Sequence, residues 1–374
     1  MKTVAIIVNY RSASLTRQAV QSVLDAVSLG PVQVVVMDNS EDDEEAERLR
    51  LYLPPTVALR VSPKNIGFGR ACNLAFENFE GDQVLLINPD ARLLPGCLLR
   101  LQKTLSSTEK TGAVSPQAFW DDDLKYYLPP SIPFFLFELQ AFFDACGPQA
   151  PISRLLSNSW RYHSIRVWSA KRPVRVRNLS GGLVLLKREA ILRAGGLFDA
   201  RFFLYFEDTD LFIRLKKAGY SLVIEPRAKA VHYYDQCGRN EWGKKREFMS
   251  RSHSLLLGKY SNSVKSRLRK AVAHLARPAT RGRAQIFQHR ITSPFVIKVP
   301  ARLQKGWLFE ASPNPTFTPS AGRFGEGESV DFPEKYWSML APGQYFGRLG
   351  SAAGYSSRSE VISWVIREAI SNEN

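Results

Sequence analysis

Residues 3–40 read TVAIIVNYRSASLTRQAVQSVLDAVSLGPVQVVVMDNS, and the fold follows from how that stretch is read. TVAIIV is an unbroken apolar run rich in β-branched residues, the pattern of a strand buried on both faces. RSASLTRQAVQSVLDA, residues 11–26, spaces its apolar residues helically, with Leu15, Ala19, Val23 and Ala26 on one stripe. VQVVVMDNS, residues 32–40, is a second apolar run and ends in Asp38-Asn39-Ser40. Strand, helix and strand in so short a span predict a parallel crossover unit.

The pattern continues outward. EDDEEAERLRLYL (41–53) is a charged surface helix, VALRVSP (57–63) a third strand, and NIGFGRACNLAFENF (65–79) a glycine-containing turn into a helix. DQVLLINPDA (82–91) is a fourth strand ending in Asn88-Pro89-Asp90, followed by helix PGCLLRLQKTLSS (95–107) and strand TGAVSPQAF (111–119). LVLLK (183–187) and REAILRAGG (188–196) resume the pattern further on. This alternation predicts an α/β fold: a mostly parallel, Rossmann-like sheet with helices on both faces. Such sheets bind ligands at the carboxyl ends of their strands. Asn9, Asp38, Asn65 and Asp90 all fall at those ends or in the turns beside them.

A second stretch carries the chemistry: GGLFDARFFLYFEDTDLFIRLKKAGYSLVIEPRAKAVH, residues 195–232. The aromatic run FFLYF delivers Glu207, Asp208 and Asp210 to the edge of a core, where burial and neighbouring charge tune acidity. A helix follows, with Leu211, Ile213, Leu215 and Ala218 toward the core, Arg214, Lys216 and Lys217 outward, and Gly219 as its stop. Two short strands, SLVIEP and KAVHYY, then lead to His232. The reading is a catalytic carboxylate and, 24 residues later, a metal-binding imidazole.

Composition bounds the rest. The chain has 374 residues, 44% of them hydrophobic, enough for one large domain and additional material. Its four cysteines lack metal or redox spacing, so reduced thiols and a cytoplasmic setting are expected. The N-terminus reads as a strand rather than a leader, and no apolar run is long enough to span a bilayer. Net charge is +16, yet residues 145–188 hold nine Lys or Arg and no acid, and residues 248–309 hold thirteen and no acid. Those blocks exceed the net charge of the whole chain and predict a polyanionic partner. Within the second block, Val264, Leu268, Val272 and Leu275 form an apolar stripe among basic residues, as in a helix lying on an anionic membrane surface. Residues 121–177 have no clear period and read as an insertion. Residues 306–357 are rich in Gly, Pro, Ser and aromatics, and EVISWVIREAI (360–370) reads as a terminal helix. The expected domains are 1–260, with its insertion, a basic helical segment at 261–305 and a small appendage at 306–374.

Taken together, VAIIVNYRS, VVVMDNSEDD, NIGFGRACNLA, LLINPDA, NLSGGLVLLKREAI, the 195–220 stretch and AVHYY resemble, in order and spacing, the inverting family 2 glycosyltransferases of the GT-A fold. The resemblance is to their rhamnosyltransferase-like bacterial branch and covers about residues 1–260. It implies transfer of a sugar, with rhamnose the first expectation, from a dTDP- or UDP-linked donor. The acceptor would be a hydroxyl of a glycan or lipid-linked molecule in surface polysaccharide synthesis, at the inner face of the cell membrane. It implies Asp208 as general base, with Glu207 supporting it or touching the acceptor. It implies Asp90 and His232 as ligands of Mg2+ or Mn2+, with Asn88 replacing the first acid of the usual pair. Asn9, Tyr10, Arg11 and Asp38 would line the nucleotide pocket, and the turn at Asn65 and Gly67 would approach a phosphate. Gly181 and Gly182 would let backbone pass close to the sugar. Two rivals are weighed. A nucleotidyltransferase-like sugar-nucleotide enzyme needs a glycine-rich basic loop after the first strand, which NYRSAS is not. A nucleic-acid-binding protein needs a recognition helix or stacking platform, and neither is evident, so no nucleic-acid partner is expected.

Overall fold

A computed structural model of the chain describes residues 1–134, 136, 151–234, 236–237, 241–260, 290–353 and 358–366. By internal contacts it divides into two compact units: residues 1–119, 131–134 and 170–262, and residues 120–130, 135–169 and 263–374. Among the described residues, no helix is long and apolar enough to cross a membrane.

The first unit is built on a nine-stranded sheet. Its strands are β1 (Thr3–Asn9), β2 (Val32–Asp38), β3 (Ala58–Val61), β4 (Gln83–Ile87), β5 (Ala91–Leu93), β6 (Thr111–Phe119), β7 (Val174–Val176), β8 (Leu183–Lys187) and β9 (Ser221–His232). The order is β3-β2-β1-β4-β8-β6-β9-β5, with β7 also on β9. Strands β3, β2, β1 and β4 run parallel; β8 is antiparallel to β4 and β6; β6 and β9 are parallel. Ala5, Ile7, Val34, Val36, Leu85 and Leu185 pack on one face with α1 (Ala13–Leu24), and residues of the opposite parity such as Val4, Ile6, Val35 and Leu86 are equally buried. After α2 (Asp43–Tyr52), capped by Asp42, comes α3 (Phe68–Asn78), which packs on β1 and β2 and contributes no residue to the core on the α1 face. Helices therefore cover both faces, which is why these strands read as unbroken apolar runs. Helix α4 (Cys97–Leu105) joins α1's side through Leu98 and Leu101.

Where SLVIEP and KAVHYY suggest two strands, β9 is one continuous strand. Its register against β6 slips around Glu225 to Lys229, so the Pro226 segment is an irregularity within the strand and not a break.

The second unit contains helix α5 (Pro151–Trp168), which the sequence pattern hid. Its buried stripe is Ser153, Ser157, Trp160, Arg161, Ser164 and Val167, helically spaced but mostly polar. Strands β10 (Arg290–Ile291), β11 (Phe295–Lys298), β12 (Trp307–Ser312), β13 (Ala321–Gly325), β14 (Ser329–Phe332), β15 (Gly343–Ser351) and β16 (Arg358–Ile366) form a five-stranded sheet, β10-β16-β15-β12-β13, and a β11–β14 pair. The expected terminal helix is thus a strand through Ile366: Val361, Ile362, Val365 and Ile366 are β-branched and pair with β15. Trp120, Tyr126, Phe309, Phe332, Tyr336 and Trp364 form an aromatic core. Glu310, fully buried, is held by Arg161 and Arg348, whose nitrogens donate to its oxygens at 2.7–2.8 Å. The stripe Val264 to Leu275 lies outside the described residues.

The first unit is completed by α6 (Arg188–Arg193), α7 (Glu207–Lys217) and α8 (Trp242–Tyr260).

Candidate functional site

All the candidate residues lie in the first unit, at the carboxyl edge of β1, β2, β4 and β9. Asn9 and Asp38 are register partners at the ends of β1 and β2. Asn9 is fully buried: its amide donates to Asp38 Oδ1, Ser40 Oγ and Glu45 Oε1 at 3.0–3.1 Å, and its oxygen accepts from Ser12 and Thr16. Both the amide nitrogen and the oxygen of Asn9 are therefore engaged within the chain. Asp38 differs: Oδ1 is taken by Asn9 and Ser40, while the buried Oδ2 has no hydrogen-bond partner among the described residues. A buried acceptor left open requires a donor from elsewhere.

Tyr10 and Arg11 turn outward. Tyr10 donates its hydroxyl to Glu241 at 3.1–3.2 Å, and Arg11 lies 3.8 Å from the same carboxylate. Asn65 accepts from Asn39 and from the Gly67 amide. The turn's amides are occupied within the chain: Ile66 N–H goes to Asn39 Oδ1 and Phe68 N–H to the Phe203 carbonyl. Gly67 sits at φ +85°, and a Cβ there would meet the Phe203 carbonyl oxygen at 2.5 Å. The glycine is needed for protein packing.

Asp90 and His232 are brought together by β5 and β9, whose pairing sets Ala91 opposite His232. Both side chains are buried, with His232 Nε2 3.2 Å from Asp90 Oδ1. The Gln236 amide donates to Asp90 Oδ2 at 3.1 Å. Burial raises the Asp90 pKa, but the His232 imidazole and the Gln236 amide outweigh it and hold the carboxyl below its usual range. Asn88 stands nearby: its backbone amide donates to the Gly182 carbonyl at 2.7 Å. A Cβ on Gly182 would meet Asn88 Nδ2 at 2.8 Å and His232 Cε1 at 2.9 Å.

Gly181 makes the corresponding contact on its other side. Its amide donates to Asp208 Oδ2 at 2.9 Å, and an added Cβ would stand 2.8 Å from Asp208 Cβ. The consecutive glycines thus tie Asp208 to the Asp90–His232 pair. Asp208 lies in the first turn of α7 and is partly exposed; Oδ1 accepts from the Thr209 amide at 2.6 Å. Burial pushes its pKa up against the pull of these donors. Glu207 is buried, its Oε2 has no hydrogen-bond partner among the described residues, and burial with the adjacent Asp208 charge pushes it up to about 8. Asp210 turns away and pairs with Arg214, which anchors the 194–197 loop through three carbonyls.

Four participants escape a sequence reading. Ser40 and Glu45 hold Asn9, Gln236 holds Asp90, and Glu241 holds Tyr10. Only Glu45 carries a local sign, lying three residues after the α2 cap Asp42.

A divalent ion fits Asp90 and His232 on one observation. Their facing atoms, 3.2 Å apart, are separated much as adjacent ligands of an ion with bonds of about 2.1 Å would be, and among the described residues Asp90 Oδ1 has no other hydrogen-bond partner. Among the described residues no third His, Cys, Asp or Glu joins them. The donor set of one carboxylate and one imidazole suits Mn2+ or Mg2+ completed by substrate oxygens.

Comparison with known proteins agrees with this architecture. A family model for glycosyl transferase family 2 matches residues 4–163, ending before Gly181, Asp208 and His232. The N-acetylglucosaminyl-diphospho-decaprenol L-rhamnosyltransferase of Mycobacterium tuberculosis, in strains CDC 1551 / Oshkosh and ATCC 25618 / H37Rv, is 32% identical over 217 residues, covering 54% of this chain and 67% of the relative. The protein is a glycosyltransferase. It belongs to family 2 and is of the rhamnosyltransferase-like kind. Two solved structures show more distant likeness. GalNAc-T7 with UDP, GalNAc and Mn2+ has a TM-score of 0.46 at 15% identity, over 62% of this chain and 44% of that one, so this chain spans less than half of its length. The mannosyltransferase PcManGT from Pyrobaculum calidifontis, with GDP-Man and Mn2+, has a TM-score of 0.47 at 19% identity, over 74% of this chain and 70% of that one. At those values the likeness carries no residue roles to this chain.

Proposed function

We propose that this protein transfers rhamnose, with inversion, from a nucleoside-diphosphate donor to a hydroxyl of a lipid-linked glycan. The observation that carries the reading is the pair of glycines joining Asp208 to Asp90 and His232: one candidate base and one candidate diphosphate site share a backbone step. Asp38 Oδ2, buried and open, accepts the N–H of a pyrimidine ring, which suits dTDP or UDP. Asp208 takes the proton of the acceptor hydroxyl as that oxygen attacks the anomeric carbon. The carbon–phosphate-oxygen bond breaks on the opposite face, and its electron pair leaves with the nucleoside diphosphate. No covalent intermediate with the protein is required. Asp90 and His232 would hold Mg2+ or Mn2+, which supplies Lewis-acid neutralisation of the departing diphosphate. Burial and the adjacent Asp208 charge push the Glu207 pKa up to about 8, which favours its neutral form beside Asp208.

The relative's name points to a diphospho-decaprenol-linked acceptor. The acid-free basic runs at 145–188 and 248–309 support an anionic membrane surface as the meeting place, on the cytoplasmic side.

The test is a donor screen. Protein is incubated with dTDP-rhamnose, UDP-galactofuranose or UDP-hexoses, Mn2+ and a synthetic GlcNAc-diphospho-lipid in vesicles with and without anionic lipid. Rhamnosylated product from dTDP-rhamnose alone, faster on anionic vesicles, is expected. Turnover with a different donor overturns the rhamnose assignment, and equal rates on neutral vesicles overturn the membrane assignment.

A further inference from the structure

The loop that presents Asp208 is conformationally costly. Tyr205 at φ 70° and Phe206 at φ 64° are consecutive bulky residues in the left-handed region, immediately before Glu207 and Asp208. Such residues persist only where the surroundings over-determine them.

Helix α8 supplies those surroundings. The buried Ser252 donates its hydroxyl to the Leu204 carbonyl at 2.8 Å. One turn earlier, the Phe248 ring lies 4.6 Å from that of Phe203; beside Ser252, His253 lies 5.3 Å from the Phe206 ring. At the end of the helix, Tyr260 donates to Asp210 Oδ1 at 2.6 Å, and Lys259 reaches the same oxygen. Residues 248, 252, 256 and 260 form one stripe at four-residue spacing, with Leu256 fully buried between the polar anchors. The stripe therefore grips residues 203–206 on one side of Asp208 and Asp210 on the other. Helix α3 holds the same loop by the Phe68 amide, which donates to the Phe203 carbonyl.

We propose that Ser252 is a positioning residue for sugar transfer. Its bond to the Leu204 carbonyl keeps Tyr205 and Phe206 left-handed and so keeps Asp208 aimed at Gly181. This rests on the reading of Asp208 as the base. When the hydroxyl is removed, the two residues relax toward the ordinary helical and extended regions, and a smaller share of molecules holds the base in place. The donor groups at Asp38, Asp90 and His232 do not touch this loop, so the effect falls on the chemical step.

The experiment compares wild type, Ser252→Ala, Ser252→Thr, Phe248→Leu and Asp208→Asn in the transfer assay, with donor KM and melting temperature for each. Ser252→Ala is expected to lower kcat roughly tenfold, the size of one lost neutral hydrogen bond. Donor KM should stay within about twofold, and Ser252→Thr, which retains the hydroxyl, should recover most of the rate. Phe248→Leu should lower kcat in the same direction with the fold intact. Unchanged kcat in both Ser252→Ala and Phe248→Leu, with Asp208→Asn inactive, overturns the clamp alone. A loss in Ser252→Ala that Thr does not recover and that tracks a drop in melting temperature also overturns it. Wild-type turnover in Asp208→Asn overturns the base reading and the clamp together.

Discussion

Gly181 and Asp208 are locked by a backbone amide at 2.9 Å and by the absence of a side chain: an added methyl would sit 2.8 Å from Asp208 Cβ. Both the hydrogen bond and the missing atom act on the position of one carboxylate. Gly181→Ala must push α7 away or rotate the Asp208 side chain. The expected result is a fall in kcat of roughly 10–100-fold with nucleoside-diphosphate affinity retained, since the added methyl meets Asp208 and not Asp38, Asp90 or His232. Steady-state kinetics with calorimetric titration of UDP and dTDP checks it; equal losses in rate and affinity would argue for collapse of the pocket.

Glu207 makes stability depend on pH in a defined direction. Its folded pKa, raised to about 8, lies above the ordinary glutamate value of 4.5. Between those values the folded chain holds a proton that the unfolded chain has released, so the contribution of this group is full below pH 4.5 and is lost as pH rises toward 8. Glu207→Gln keeps the shape and cannot ionise. The variant's melting temperature relative to wild type should therefore rise steadily from pH 5 to pH 8. A difference that is flat across that range would show that Glu207 is ionised in the folded protein.

What could be read from sequence follows from where each signal resides. Strands buried on both faces announce themselves by composition, so β1, β2 and β4 and the polar residues at their ends were legible. Helix α5 was not, because serines and Arg161 fill its buried stripe. The β16 strand was misread because VISWVI satisfies helical and extended spacing alike, and only its pairing with β15 decides. In the site, Asp208 and His232 were visible as acids and imidazole after apolar runs. Their link through Gly181 and Gly182 was not, because it depends on β8 entering the sheet antiparallel beside β4. Tyr10's partner Glu241 and the occupied amides after Asn65 are tertiary facts with no local sign.

The Arg161–Glu310–Arg348 group in the second unit yields a stability prediction. Both arginines and the glutamate are almost wholly buried, and the two guanidiniums together outweigh the carboxylate charge. Burial raises the Glu310 pKa, but the charges and hydrogen bonds of Arg348 and Arg161 more than reverse it and keep the carboxylate ionised. Glu310→Gln removes the carboxylate charge that the two buried guanidiniums share, which costs about 3–5 kcal/mol. Denaturant unfolding should show that loss, and replacing Arg348 by Met in the same chain should recover part of it. A loss below about 1 kcal/mol would mean that water reaches the group.

Removal of metal tests the remaining pair. Among the described residues Asp90 supplies the one carboxylate of the proposed diphosphate site, and His232 supplies an imidazole nitrogen at 3.2 Å. A carboxylate contributes more to holding a divalent cation than an imidazole does when the other ligands are hard oxygens. Asp90→Asn should therefore weaken Mn2+-dependent binding of UDP or dTDP at least about tenfold, and His232→Ala less. Asp90→Asn also leaves the Gln236 amide facing a weaker acceptor, so the segment after β9 should become more protease-sensitive, a readout independent of turnover. In wild type, EDTA should abolish transfer and Mn2+ should restore it. Full activity in EDTA, with nucleotide affinity unchanged in Asp90→Asn, would assign the pair to packing and leave charge neutralisation of the leaving group to Arg11 and its neighbours.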